Sequence, residues 1–367
     1  MKFTCMQNNF LNVILTVQKA VSTRTNTPIL EGILLETEKD VLKLVGTNLE
    51  FGIESYMEAN ILQEGSVVIP SRLMSEVVRK FPEAEIEVKV SENNTVKFTC
   101  LNSTVTLQGF APDEFPSLPE ISEKEFIEIN KMLLSNMIRE TIFAVAVDEA
   151  RPILTGALLE VEGKNISMVC LDGYRLAHRK GMIETAHENL KVIIPGKTLS
   201  EVSKIIDDDD KQISIIVSDR HVLFDLGYTR IISRVLEGEY INYKQIIPEG
   251  YKTRVKADTK ILESSIDRAS LIAREGKNNL IKLSLQDQKM IITSNSESGQ
   301  VYEEIPILLE GKDLEIAFNA RYFMDILKVI EDQEICLDFT TSVSPCVVRP
   351  LKGSNFTYLL LPVRIYA

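Results

Sequence analysis

No stretch of this 367-residue chain approaches the ~20 consecutive apolar residues that a membrane-spanning helix needs. The first residues, Met1-Lys2-Phe3-Thr4-Cys5-Met6-Gln7-Asn8-Asn9, lack the apolar core of a secretory signal. Cysteine is sparse and odd in number: Cys5, Cys100, Cys170, Cys336 and Cys346, with no C-x-x-C spacing. Neither a disulfide framework nor a zinc site is indicated, and a reducing cytoplasm is the expected compartment. Histidine is sparser still. His178, His187 and His221 have no partner at metal or triad spacing, so they read as surface residues. There is no G-x-S-x-G nucleophile elbow.

Two motifs come near to a site and fail. Gly196-Lys197-Thr198 resembles the end of a phosphate-binding loop, but Lys191 stands where the first glycine belongs and Pro195 removes a needed N–H. Thr198-Leu199-Ser200-Glu201 reads instead as a capping box that starts a helix. The run Asp207-Asp208-Asp209-Asp210 lacks the interleaved turn residues of a metal loop and reads as a solvated loop. No catalytic residue, metal or cofactor is therefore expected.

What is present is ordinary in bulk: 44% apolar and 26% charged residues, with a net charge of −12. A chain of this length holds two or three domains at roughly 100–150 residues each. The acidity argues against a nucleic-acid partner only if charge is evenly spread. It is not, because the chain repeats. Pro28-Ile29-Leu30-Glu31-Gly32-Ile33-Leu34-Leu35-Glu36 recurs as Pro152-Ile153-Leu154-Thr155-Gly156-Ala157-Leu158-Leu159-Glu160. Val67-Val68-Ile69-Pro70-Ser71-Arg72 recurs as Val192-Ile193-Ile194-Pro195-Gly196-Lys197, and again as Ile316-Ala317-Phe318-Asn319-Ala320-Arg321.

Each of these three copies continues as a short amphipathic helix. Met74, Val77 and Phe81, then Leu199, Val202 and Ile206, then Phe323, Ile326 and Ile330 fall on one helical face. Opposite them stand Arg72 and Arg79, Lys197 and Lys204, Arg321 and Lys328, with Glu76, Glu201 and Asp325 between. Longer helices are expected near 7–22, 131–147 and 259–274. The six helical windows carry thirteen basic and seven acidic residues, so the remainder is more acidic than the whole. Such a chain can present one basic surface. Alternating strands follow: Ile86, Val88 and Val90, then Val96, Phe98 and Cys100; Ile213, Ile215 and Val217; Leu337 and Phe339. The pattern implies α+β architecture with antiparallel sheets backed by helices. Pro-rich and acidic linkers at 111–120 and 236–248 divide the chain into domains 1–121, 122–249 and 250–367.

Leu171-Asp172-Gly173-Tyr174-Arg175-Leu176-Ala177 closely resembles a hallmark of the bacterial DNA polymerase III β sliding clamp family. So do Asp113-Glu114-Phe115-Pro116, Met1-Lys2-Phe3-Thr4 and Leu359-Leu360-Leu361-Pro362-Val363-Arg364. The resemblance covers the whole chain and its threefold repeat. It implies the DNA clamp fold: three tandem similar domains and a head-to-tail homodimer. Six domains then close into a ring, with sheets outside and helices lining the hole. It implies a non-catalytic subunit of the DNA polymerase III holoenzyme, a processivity factor that slides on double-stranded DNA without sequence preference. Expected partners are the polymerase III catalytic subunit, a separate ATP-driven clamp loader, and other polymerases and repair proteins carrying clamp-binding peptides. No membrane partner is implied, and the expected location is cytoplasmic and nucleoid-associated.

The resemblance also assigns residues. DNA contacts fall on Arg24, Arg72 and Lys197 first, and weakly on Arg151; the helical pattern adds Arg79, Lys204, Arg321 and Lys328. A peptide pocket between the second and third domains takes its apolar walls from Leu154, Leu171, Leu176, Ile241, Ile246 and Val343. Gly173, Tyr174, Arg175, Asn319 and Tyr322 join it, with Tyr and Arg as a polar rim, and Leu361, Pro362, Val363 and Arg364 complete it. Some relatives carry Thr at the position of Leu171, Pro at Ile241 and Arg at Gln245, so this pocket should be more apolar than theirs. Taken alone, Leu154 and Leu176 read as ordinary core. The dimer contact is assigned to Val105 and Leu107 on one side and Leu271 and Ile272 on the other. Relatives place several Arg beside the first edge; here Thr99, Asn102 and Thr104 stand there, so apolar contact and strand pairing should dominate. Two other readings stay open from the residues: a peptide-binding adaptor of the same fold that does not encircle DNA, and a metal-dependent nuclease using Asp207–Asp210.

Overall fold

The computed structural model describes residues 1–22, 25–121, 125–148, 150–206 and 211–364. Among them are six α-helices: α1 (Gln7–Val17), α2 (Ser71–Lys80), α3 (Lys131–Arg139), α4 (Gly196–Ile205), α5 (Thr259–Ala273) and α6 (Ala320–Leu327). The chain folds as two compact units, Met1–Lys131 with Glu201–Val235, and Met132–Ser200 with Leu236–Ala367. The middle third of the sequence thus contributes to both.

The first unit holds two antiparallel sheets. A five-stranded sheet runs in the order Asn60–Gln63, Lys2–Met6, Glu85–Val90, Thr95–Cys100 and Ser103–Gln108. An eight-stranded sheet runs Glu125–Asn130, Gln212–Val217, His221–Asp225, Thr229–Arg234, Phe51–Glu58, Val41–Thr47, Gly32–Glu38 and Gly65–Pro70. In the second unit a seven-stranded sheet runs Gly156–Leu171, Arg175–Pro195, Phe356–Leu360, Cys346–Pro350, Glu334–Phe339, Thr253–Asp258 and Leu308–Gly311. Its four-stranded sheet runs Gly299–Pro306, Lys289–Ser296, Leu280–Gln286 and Leu314–Asn319. The period-2 pattern explains the strands. Ile86, Val88, Val96, Phe98 and Cys100 are wholly buried while the residues between them face outward or lie part-covered.

All three strand-to-helix repeats fold alike. The strand ends at Pro70, Pro195 or Asn319, and α2, α4 or α6 follows at once. Leu199, Val202, Phe323, Ile326 and Ile330 are buried as expected. In α2 the buried position is Val78 rather than Val77, because Met74, Val78 and Phe81 are spaced i, i+4, i+7 on the core face. Thr198 is not a cap: α4 already begins at Gly196, which leaves Thr198 buried inside the first turn. The helix expected over 131–147 stops at Arg139. Thr141 leaves the helical region at φ −127° and turns its Oγ1 to donate to the Met137 carbonyl, 2.7 Å away. His178, expected on the surface, is buried beneath Tyr243, the ring centroids 5.2 Å apart. Its strand carries it onto the core face beside Leu176.

A second threefold feature is a turn. Asn48 Oδ1 accepts from the N–H groups of Glu50 (3.1 Å) and Phe51 (2.8 Å). Asp172 Oδ1 accepts from those of Tyr174 (2.8 Å) and Arg175 (3.0 Å). Ser296 Oγ accepts from Ser298 N–H at 3.2 Å. These side-chain-closed turns start the strands at Phe51, Arg175 and Gly299. The first two of those strands pair with the last strand of the following repeat. Ile53 faces Ile231 in one case, and Ala177 faces Tyr358 in the other. The third strand, Gly299–Pro306, is the edge of its sheet, and Ser103–Gln108 is likewise an edge.

Candidate functional site

The hallmark turn is built around Arg175. Gly173, at φ +93°, takes the left-handed conformation that an L side chain resists. Asp172 then closes the turn on its own backbone and holds Arg175 Nε at 3.1 Å with its second oxygen. The remaining guanidinium nitrogens donate to Asp325 of α6 and to the Phe143 carbonyl. The planar group lies over the Tyr322 ring, 4.5 Å from its centroid, and 5.4 Å from that of Phe143. Only 9% of the side chain is exposed. Arg175 therefore does not serve as an open polar rim: its donors are spent on joining turn, helix and backbone. This also explains why Asp325 departs from the other two helices, where the acid pairs with its own helix as Arg72–Glu76 (3.0 Å) and Lys204–Glu201 (2.7 Å).

Leu154, Leu171 and Leu176 form a buried floor with Leu158, Val169, Ile193, Tyr243 and Leu359. They are core residues, and any ligand would meet what lies above them. Tyr174 is 60% exposed and stacks on Tyr322, ring centroids 5.9 Å apart. The C-terminal segment is pinned beside it: Leu361 N–H donates to the Tyr174 carbonyl (2.9 Å) and Val363 N–H to the Ala317 carbonyl (2.8 Å). Pro362, between them, has no N–H to leave unsatisfied. Leu361, Ile241 and Ile246 expose apolar surface, and Arg364 is exposed. Asn319 caps α6, accepting from the N–H groups of Arg321 and Tyr322. Val343 is exposed in the turn before Cys346–Pro350, and its place in the pocket rests on the resemblance alone.

The six helical bases Arg72, Arg79, Lys197, Lys204, Arg321 and Lys328 are all exposed. Arg79, Lys197, Arg321 and Lys328 form no ion pair among the described residues. Arg24 lies outside the described residues, as do Asp207–Asp210. Arg151 is placed at the hallmark turn, its Nη1 3.3 Å from where a Cβ on Gly173 would stand. Val105 and Leu107 are half-buried on the edge strand Ser103–Gln108. Leu271 is exposed on α5, and Ile272 reaches to 3.8 Å from the position a Cβ would take on Gly299, at the start of the other edge strand.

Three family models match the chain in tandem. The N-terminal, central and C-terminal domains of the DNA polymerase III beta subunit match residues 1–119, 128–242 and 244–364. The chain belongs to the DNA polymerase III beta subunit family. It is 38% identical to the beta sliding clamp of Bacillus subtilis over 378 residues and 37% identical to that of Staphylococcus epidermidis over 376, covering each chain in full. The crystal structure of the Bacillus subtilis DNA polymerase sliding clamp matches over both whole chains with a TM-score of 0.97. A Pseudomonas aeruginosa sliding clamp bound to griselimycin matches at 26% identity with a TM-score of 0.95. As a beta sliding clamp the chain is a non-catalytic processivity subunit of DNA polymerase III, with three tandem clamp domains of mixed α and β structure.

In this clamp several site residues carry no motif. Tyr243 donates to Glu160 Oε2 at 2.7 Å, and Tyr240 donates to the Val169 carbonyl at 3.3 Å. They anchor the linker to the sheet; two tyrosines in a Pro-rich acidic stretch were the available signal. Among the described residues no cluster of three metal-ligating side chains occurs, and no helix is long and apolar enough to cross a membrane. The five thiols are free and buried, and burial pushes those of Cys5 and Cys170 up to about 12.

Burial also pushes the His178 imidazole down to about 4; Lys180 and Lys244 act in the same direction, against Glu160. As pH falls below about 6.5 the unfolded chain takes up this proton first, so stability drops between pH 6.5 and 4 and levels off below. The loss is about 3 kcal/mol. Urea unfolding of the His178→Phe chain should show a pH 7 to pH 4 stability difference smaller by that amount. An unchanged difference contradicts the assignment.

Proposed function

We propose that two copies join head to tail into a ring that encircles double-stranded DNA. The ring tethers the polymerase III catalytic subunit, other polymerases and repair proteins by peptides bound above the Leu154–Leu171–Leu176 floor. A separate loader opens it. We keep the domain boundaries 1–121, 122–249 and 250–367, and place the work in the cytoplasm, on the nucleoid. The observation that carries the ring is the strand pairing. Two of three repeat junctions are closed by pairing the strand after the side-chain-closed turn with the last strand of the next repeat. The strands left over, Gly299–Pro306 and Ser103–Gln108, are the two that such a pairing between copies would use. Val105, Leu107, Leu271 and Ile272 lie on or beside these edges.

DNA is held by topology in this account. The exposed bases of α2, α4 and α6 give weak, salt-sensitive phosphate contacts, tempered by Glu76 and Glu201. Peptide affinity is expected in the micromolar range, from two buried apolar anchors worth ~3–6 kcal/mol before entropic costs. Two sites per ring add avidity.

Leu361→Ala with Val363→Ala should weaken a fluorescent clamp-binding peptide at least about tenfold by anisotropy, since each removes about 1 kcal/mol of apolar contact. Sedimentation should find both the parent and this variant as dimers. Unchanged peptide affinity removes the pocket, and a monomeric parent at micromolar concentration removes the ring.

A further inference from the structure

The two covered junctions differ in a buried carboxylate. Register makes Glu54 and His178 equivalent: Glu54 faces Arg230 across the first junction, and His178 faces Thr357 across the second. The neighbours correspond too. Lys43 pairs with Tyr56 in one hairpin as Ser167 pairs with Lys180 in the other.

At the first junction the chain satisfies itself. Glu54 accepts from the Tyr56 hydroxyl at 3.1 Å and lies 3.6 Å from Lys43 Nζ and 3.5 Å from Arg230 Nη1. Leu118 of the linker fills the groove above Gly52, where no side chain would fit.

At the second junction Leu176 stands in the place of Gly52, and a cleft of about 870 Å³ lies between the sheet and the 243–249 segment. His178 lines it, 94% of the residue buried, with no hydrogen-bond partner for Nε2. Lys180 and Lys244 stand at its mouth, exposed and without an ion pair among the described residues. Glu160 is already committed to Tyr243 and to Lys191, 2.9 Å away. The cleft thus has two free cations and a buried imidazole able to donate, but it lacks the free carboxylate that its counterpart contains.

We propose that this cleft takes an Asp or Glu side chain of the bound partner peptide, which supplies the carboxylate that Glu54 supplies at the first junction. The proposal rests on the peptide pocket reading, since it adds a polar compartment to the same groove. His178 and Lys180 lie two and four residues along the strand from Leu176, about 7–14 Å. An extended peptide covers that span in two to four residues, which sets where its acidic residue falls relative to the apolar anchors.

The test compares peptides with fixed apolar anchors in which Glu or Gln is placed at each of the second to fourth flanking positions on either side. On the parent ring, Glu at one or two adjacent positions should bind about three- to tenfold tighter than Gln. That ratio should shrink with added salt, and it should fall to near one with Lys180→Gln and Lys244→Gln together. Ratios below about twofold at every position, with the Gln peptides still bound, overturn the proposal and leave the apolar pocket standing. A preference that survives in the double variant also overturns it. Failure of every peptide to bind overturns the pocket reading itself.

Discussion

Val105→Cys and Val301→Cys in one chain should cross-link it into a covalent dimer on mild oxidation. The register follows from the two junctions already paired. Ile231 faces Ile53, and Tyr358 faces Ala177. Val105 holds the place of Ile231 and Tyr358, because Phe98 pairs with it as Phe224 pairs with Ile231 and Val348 with Tyr358. Val301 lies two residues beyond the turn-closing Gly299, as Ile53 lies beyond Phe51 and Ala177 beyond Arg175. Both known pairs sit between backbone-bonded neighbours. Tyr56 N–H donates to the Tyr228 carbonyl, and Leu361 N–H to that of Tyr174. The new pair is then a non-hydrogen-bonded one, with Cα atoms roughly 4.5 Å apart, within disulfide reach. The native thiols are all buried and should not compete. Non-reducing gels should show nearly complete conversion to dimer, whereas Val105→Cys with Glu303→Cys, two residues out of register, should remain uncross-linked. A chain that stays monomeric contradicts the register, and a ladder of larger species contradicts closure of the ring.

Arg175→Ala should be the most damaging single substitution in the pocket. It leaves Asp172 and Asp325 without their cation and the Phe143 carbonyl without its donor. Removing one member of a largely buried charge network costs about 3–5 kcal/mol. Asp325 keeps some water, at 29% exposed, which places the expectation near the lower end. For a unit of this size that is a fall of roughly 6–12 °C in Tm. Peptide binding should weaken with it, because the Tyr174–Tyr322 stack and the Leu361 hydrogen bond lean on the same turn. Arg175→Lys should restore little, since one ammonium cannot span three acceptors in a plane. Calorimetry showing a Tm within 2 °C of the parent would falsify this role for the residue.

The parts legible in the sequence are those written in local patterns. The copies ending at Pro70, Pro195 and Asn319 show in apolar spacing alone, and each folds as a strand running into a helix. The Pro28 and Pro152 copies are visible because proline marks them. Their third counterpart, the turn Lys277–Asn279 before Leu280–Gln286, has no proline and passes unnoticed. The turns at Asn48, Asp172 and Ser296 escape for a similar reason. They share an acceptor oxygen rather than a residue type. What the sequence hides is long-range. Nothing local to Arg175 points to Asp325, 150 residues away, so a buried strut reads as a rim. Nothing local to His178 shows that Tyr243 will cover it. The floor residues Leu154 and Leu176 illustrate the converse: their apolar character is plain, but only packing tells core from contact surface.

Retention on DNA before and after linearisation tests the ring most directly. The chain would be loaded by a clamp loader onto nicked circular plasmid, freed of loader, and followed by gel filtration. The account predicts that it stays with the circle, leaves when the plasmid is cut once, and is held again when the ends are blocked. Equal retention on circular and cut plasmid would mean that the protein grips DNA directly, and the encircling ring would be wrong.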